Sequence, residues 1–180
     1  EDSLPATADF NQIALITPSV SNYGGNNGIG LSESKAQIRG FQDGEYNITY
    51  DGVPFGDTND PTHHSTTFFP SNTIETLVVD RGPGNASQLG QATFGGNINL
   101  FSRAARDEFG GQLKASYGSF DTYLLRGLLN TGEIKGLGGT KLVLTGQYVH
   151  TDGALSYETY RNYNLYAKAV VPISSAVTLT

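Results

Sequence analysis

The sequence has no tryptophan, no methionine and no cysteine. Without cysteine there is no disulfide framework, no thiolate metal centre and no cysteine nucleophile. Charge is also scarce: 16% of residues are Asp, Glu, Lys or Arg, with a formal balance of −6. No basic stripe is available to neutralise phosphates, which argues against a nucleic-acid partner. No apolar run approaches the roughly 20 residues of a transmembrane helix, so a membrane role would fall to β-strands. Glu1-Asp2-Ser3 is an acidic opening without the basic and apolar regions of a signal peptide, as expected of a mature chain or a piece of a longer one. What is abundant is 23 Gly, 10 Tyr and 9 Phe in 180 residues. That is the texture of a turn-rich β protein, of a length for one or two domains.

Residues 1–20 hold the one plausible helix. Phe10, Ile13 and Ala14 fall at i, i+3 and i+4, Thr7 or Asp9 is available as N-cap, and Pro18 forbids continuation. A short amphipathic packing helix accounts for it. The polar loop over 21–36 carries Gly24-Gly25-Asn26-Asn27-Gly28-Ile29-Gly30. It lacks the preceding strand and the G-K-[ST] ending of a phosphate cradle, so turn chemistry explains it better. Strand-like runs follow at Ala36–Arg39 and Tyr46–Tyr50, the second ending in an Asp51-Gly52 turn signal. A β-branched run, Ile74–Val79, leads into the Asp80-Arg81-Gly82-Pro83 turn. A polar segment then reaches Gly95-Gly96 and a short alternating strand, Asn97–Phe101.

From Glu108 the texture changes. Residues 109–118 put Phe109, Gly111, Leu113, Ala115 and Tyr117 on one face, against Gln112, Lys114 and Ser116 on the other. Residues 122–130, 141–149 and 162–171 repeat the pattern. Tyr123, Leu125, Gly127 and Leu129, then Leu142, Leu144, Gly146 and Tyr148, then Tyr163, Leu165, Ala167, Ala169 and Val171 form the uncharged face. Segments of roughly 10 residues with one apolar-to-small face and one charge-bearing face carry the transmembrane β-barrel signature. Tyr117 and Tyr123 flank the turn at 118–121, and Tyr148 and Tyr163 flank the loop at 151–161. In strands running up and down, all four fall at the same end of the outward face, as an aromatic girdle at a membrane interface requires. Alternation alone is equally compatible with a soluble antiparallel sheet covering a core.

The polar loop over 55–72 carries Asp57, Asn59, Asp60, His63 and His64, the residue types of a metal site. Adjacent histidines diverge on an extended chain, and no helical His face brings them together. Asp57-Thr58-Asn59-Asp60-Pro61 also departs from the calcium-loop pattern, which needs Gly at its sixth position. A solvated loop is the better account. No Ser/His/Asp or paired-carboxylate arrangement stands out, so the expectation is no enzyme and no cofactor; a metal-dependent enzyme on Asp57, Asp60, His63 and His64 would show as stoichiometric metal.

Four phrases occur in order: Gln37-Ile38-Arg39-Gly40, Tyr50-Asp51-Gly52-Val53-Pro54, Ile74-Glu75 through Arg81-Gly82-Pro83, and Gly95-Gly96-Asn97-Ile98-Asn99. Each is weak alone. As an ordered set the chain resembles the TonB-dependent outer-membrane receptors. The resemblance implies an α/β plug domain over 1–103, lacking its N-terminal part, followed over 108–180 by the start of a transmembrane β-barrel of about 22 strands. Four strands and the start of a fifth cannot close a barrel, so a fragment of a longer receptor is expected. The implied function is TonB-dependent import of a scarce ligand, a ferric siderophore foremost, across the bacterial outer membrane. The implied partners are TonB, whose binding segment is not in these residues, the ligand and outer-membrane lipid. Arg39 and Arg81 match plug arginines that pair with barrel glutamates. Ligand contact is expected from Tyr23, Phe55, His63, His64, Phe68 and Phe69. The alternative is a soluble or surface β-structured interaction module without transport.

Overall fold

The computed structural model describes residues 8–23, 33–57, 62–65, 69–84, 90, 92–174 and 176–180. The chain divides into two units, one of 1–102 with 153–158 and one of 103–152 with 159–180.

The first unit begins with helix α1, Phe10–Ala14. Asp9 caps it, its carboxylate accepting from the Gln12 N–H at 2.8 Å, which satisfies one of the donors a helix start leaves open. Strand β1 (Val20–Asn22) pairs antiparallel with β2 (Ala36–Ile38). A separate sheet is built from β3 (Asn47–Tyr50), β4 (Val53–Pro54), β5 (Ile74–Asp80) and β6 (Asn97–Ser102), in the order β4-β3-β6-β5. β3 and β6 run parallel, Ile48 opposite Ile98, and β5 closes the sheet antiparallel to β6. Phe10, Ala14, Ile38, Tyr46, Ile48, Ile74, Ile98 and Leu100 form the core. This is the burial that holds so small a helix in place, since an isolated turn is marginal in water. The opposite face of the sheet carries a polar ladder beside the exposed Val78 and Phe101: Thr49 Oγ1 donates to Asn99 Oδ1 at 2.8 Å, and Asn99 Nδ2 to Asp80 Oδ2 at 2.9 Å.

The glycine pair before β6 has a steric cause. Gly96 sits at φ +120°, and a Cβ there would overlap the Asp80 carbonyl oxygen; one on Gly95 would enter the Phe41 side chain. Only glycine lets β6 start beside the end of β5.

The second unit is a meander of β7 (Phe109–Gly118), β8 (Thr122–Thr131), β9 (Lys141–Thr151), β10 (Tyr160–Ser174) and β11 (Val177–Leu179). All neighbours are antiparallel in chain order. The register opposes Leu113 to Gly127, Gly127 to Gly146, and Gly146 to Leu165, so the uncharged residues share one face as the alternation predicts. Phe109, Leu113, Tyr117, Tyr163 and Leu165 are each at least 77% exposed on it, unlike the inward residues of a soluble sheet. On the other face Arg126 Nε and Nη2 donate to Gln147 Oε1 at 2.9 and 2.6 Å across the ladder. β9 and β10 extend beyond the expected segments. The longer strands carry His150 and Arg161, cross-strand partners, onto the tyrosine-bearing face. Among the described residues no helix is long and apolar enough to cross a membrane, which says nothing of crossing by strands.

Candidate functional site

Among the described residues, the first unit brings ionisable groups together where the segments at 33–35, 41–46, 55–57 and 62–65 meet. Asp43 is the hub, its side chain only 2% exposed. Its Oδ1 lies 2.6 Å from His63 Nδ1, and its Oδ2 accepts from the His63 N–H and from Lys35 Nζ, both at 2.9 Å. Lys35 Nζ also donates to the His63 carbonyl at 2.7 Å and pairs with Glu33 at 3.2 Å. Beyond it, His64 bridges two carboxylates, Nδ1 to Glu33 and Nε2 to Asp57, each at 2.7 Å.

Burial by itself would push the Asp43 carboxyl up, but the hydrogen bonds from His63 and Lys35 outweigh it and hold the group below the ordinary aspartate range. The carboxylate is therefore ionised, and His63 Nδ1 must be the donor. Burial would likewise lower Lys35, yet its bond to Asp43 and the neighbouring Asp43 and Glu33 charges raise it. The hydrogen bond to Glu33 raises His64. With a carboxylate on each ring nitrogen, that imidazole donates from both and bears a charge. Burial also raises Asp9, which accepts from Ser65 Oγ at 2.7 Å.

The structure separates the six aromatic and histidine candidates. His63 is 4% exposed, parallel to Tyr46 at 6.4 Å and edge-on to Phe55 at 5.4 Å. Buried among rings and bonded to Asp43, it is an interior histidine and does not sit in a solvated loop. Phe55 packs against Phe10 at 6.2 Å and Phe69 at 4.6 Å, and Phe69 stacks on Tyr50 at 3.8 Å. Tyr23 stays 41% exposed while its hydroxyl accepts from the Asp43 N–H at 3.1 Å. The His64 side chain is 46% exposed. Phe68 lies outside the described residues. Sequence reasoning missed Glu33, Lys35 and Asp43 altogether. Asp43 sits before Gly44 in what reads as a turn, and no periodicity marks it as the centre of a network.

Arg39 and Arg81 converge on one corner. The Arg39 N–H donates to the Ser19 carbonyl at 3.0 Å, and Arg81 Nη1 donates to the Pro18 carbonyl at 3.2 Å. Both residues are exposed. Arg39 holds a left-handed backbone at φ +52°, a conformation that costs a non-glycine residue about 1 kcal/mol or more.

In the second unit the register opposes Tyr117 to Tyr123 and Tyr148 to Tyr163, and the Tyr123 and Tyr148 rings lie 5.7 Å apart. The four tyrosines make a continuous belt at one end of the apolar face.

A small α/β domain followed by an antiparallel meander with an exposed apolar face defines a plug-and-barrel class of protein. The family model of the TonB-dependent Receptor Plug Domain matches residues 3–97, and the chain belongs to that family. Its fold is similar to the pyoverdine outer-membrane receptor FpvA of Pseudomonas aeruginosa, at 17% identity and a TM-score of 0.75 over 95% of this chain and 24% of that one. It is also similar to the alcaligin outer-membrane receptor FauA of Bordetella pertussis, at 17% identity and a TM-score of 0.71 over 92% of this chain and 27% of that one. The copper transporter OprC matches at 18% identity and a TM-score of 0.69, over 96% and 26% of the two chains. The chain thus spans about a quarter of the length of these structures. Comparison with the curated proteins gave no match.

Proposed function

We propose that the chain is the plug, over 1–103, and the first barrel strands, over 108–180, of a bacterial outer-membrane receptor that imports a scarce ligand by TonB-driven displacement of the plug. The observation that carries this reading is the union in one polypeptide of a plug-family match with a meander whose apolar face is exposed and ends in a tyrosine belt. On this reading that face meets outer-membrane lipid, and Tyr117, Tyr123, Tyr148 and Tyr163 sit at its interface, rings in hydrocarbon and hydroxyls in water. Arg39 and Arg81, projecting from the Pro18–Ser19 corner, pair with carboxylates of the barrel wall. Such pairs fix orientation more than they stabilise, because desolvation offsets much of their attraction.

The ligand class proposed is a ferric siderophore; the FpvA and FauA structures are named as pyoverdine and alcaligin outer-membrane receptors. Tyr23 and His64 are the accessible contacts. Phe55, His63 and Phe69 support the loops that present them. The test is uptake of radiolabelled iron by cells whose only siderophore receptor is the full-length polypeptide carrying these residues, with and without TonB. Uptake that needs both supports the reading. A polypeptide that stays in the soluble fraction and supports no uptake would replace it with the β-structured interaction module.

A further inference from the structure

We propose that Asp121, His150 and Asp152 form a divalent transition-metal site that pins the β7–β8 turn to the end of β9. Their ligand atoms lie within 4.8 Å of one another, the one such grouping of three His, Asp or Glu side chains among the described residues. The frame is held in place by bonds that do not involve the ligand atoms. Phe120 and Asp121 occupy the left-handed positions of a tight turn, at φ +57° and +49°, closed by the Thr122 N–H on the Ser119 carbonyl at 3.2 Å. The Asp152 N–H donates to the Phe120 carbonyl at 2.8 Å, and the Thr122 and Thr151 hydroxyls bond at 2.7 Å.

The second observation is His150 itself. It is 8% exposed, lies against the Tyr123 ring at 4.9 Å, and its Nδ1 is buried without a hydrogen-bond partner. Its single polar contact is Nε2 to Asp152 Oδ1 at 3.2 Å. Nε2 is thus the nitrogen that faces the carboxylates and would take the ion, with Nδ1 carrying the proton. Asp121 accepts only from the Tyr117 hydroxyl, at 3.2 Å. Arg161 stands opposite His150 in the ladder, yet it ion-pairs with neither aspartate, so the two carboxylates have no cation of their own. This contrasts with the Asp43 and Glu33 cluster, where Lys35 and His64 already supply positive charge.

The donor set decides the ion. One imidazole nitrogen with two carboxylate oxygens suits the Mn2+ to Zn2+ series better than Ca2+, which prefers an all-oxygen shell. Metal–ligand bonds of about 2.1 Å put tetrahedral donors about 3.4 Å apart. Both aspartates are exposed, so side-chain rotation alone closes the difference. In a tetrahedral shell one position remains for water, and the site needs no transport activity to exist.

The experiment is calorimetric titration of the full-length polypeptide in detergent with Zn2+, Mn2+ and Ca2+, followed by hydrogen exchange over peptides covering 117–124 and 148–153. One Zn2+ or Mn2+ should bind and slow exchange in both peptides. Asp121→Asn, Asp152→Asn and His150→Gln should each weaken it by about tenfold or more, the scale on which metal sites respond to losing even an orienting group. Arg161→Gln should leave binding intact or tighter. No stoichiometric ion, binding indifferent to the three substitutions, or Ca2+ binding that survives His150→Gln would overturn the proposal.

Discussion

Removing the Asp43 carboxylate is the sharpest test of how the plug's loops are held. Asp43→Ala deletes three acceptor contacts at once, from His63 Nδ1 at 2.6 Å and from Lys35 Nζ and the His63 N–H at 2.9 Å each. Breaking a buried ion pair from one side costs about 3–5 kcal/mol. Lys35 is 18% exposed and keeps Glu33 at 3.2 Å, so it is not stranded, and the lower bound of about 3 kcal/mol applies. His63, 5% exposed, bears most of the loss. The assay is hydrogen exchange on the full-length polypeptide, because global unfolding would not report on a local network. At 1.4 kcal/mol per factor of ten, peptides covering 33–38 and 55–65 should exchange about a hundredfold faster, while peptides from β8 and β9 stay unchanged. Asp43→Asn, which keeps the shape and one acceptor, should fall between. Asp43 has its folded value held below its unfolded one near 3.9, so its contribution is fully present above about pH 4 and disappears as the pH drops through the folded value. Protection of 33–38 and 55–65 in Asp43→Ala within about threefold of wild type would refute the network as the tie between these segments.

The remaining predictions use the same logic. His64 has its folded value raised by Glu33, so its stabilisation is present below the unfolded value near 6.5 and lost as pH rises through the folded one. With its side chain 46% exposed, the pair is worth no more than about 1 kcal/mol. Exchange over 55–65, corrected for intrinsic rates, should rise modestly at alkaline pH and lose that dependence in His64→Gln. Gly96→Ala should destabilise the start of β6 by about 2 kcal/mol or more, from left-handed strain and overlap with Asp80, read as faster exchange over 95–100; unchanged exchange there would count against the steric account. Arg39→Ala with Arg81→Ala should impair uptake while ligand affinity and surface levels hold; unimpaired uptake at wild-type levels would exclude a seating role. Tyr117→Asp and Tyr163→Asp should lower assembly into the outer membrane, whereas the matching change at Lys114, on the opposite face, should not; equal losses would remove the distinction between faces.

How far the sequence reached depended on the range of the interaction. Period-two alternation placed β7 to β10 and their apolar face, because the side-chain direction of a strand is a local property. The glycine pair and the four phrases identified the plug because tight backbone approaches demand particular residues at particular positions. Tertiary structure alone decided which polar residues meet. Asp43, Lys35 and Glu33 join His63 and His64 across sequence separations of 20 to 31 residues. His63 became an interior residue only when Tyr46 and Phe55 closed around it. His150 reached Asp121 because the antiparallel register sets it opposite Tyr123. Such pairings are fixed by loop closure and by the burial that offsets its entropy. No short window of sequence contains both partners, which is why the residues were visible from the start and their roles were not.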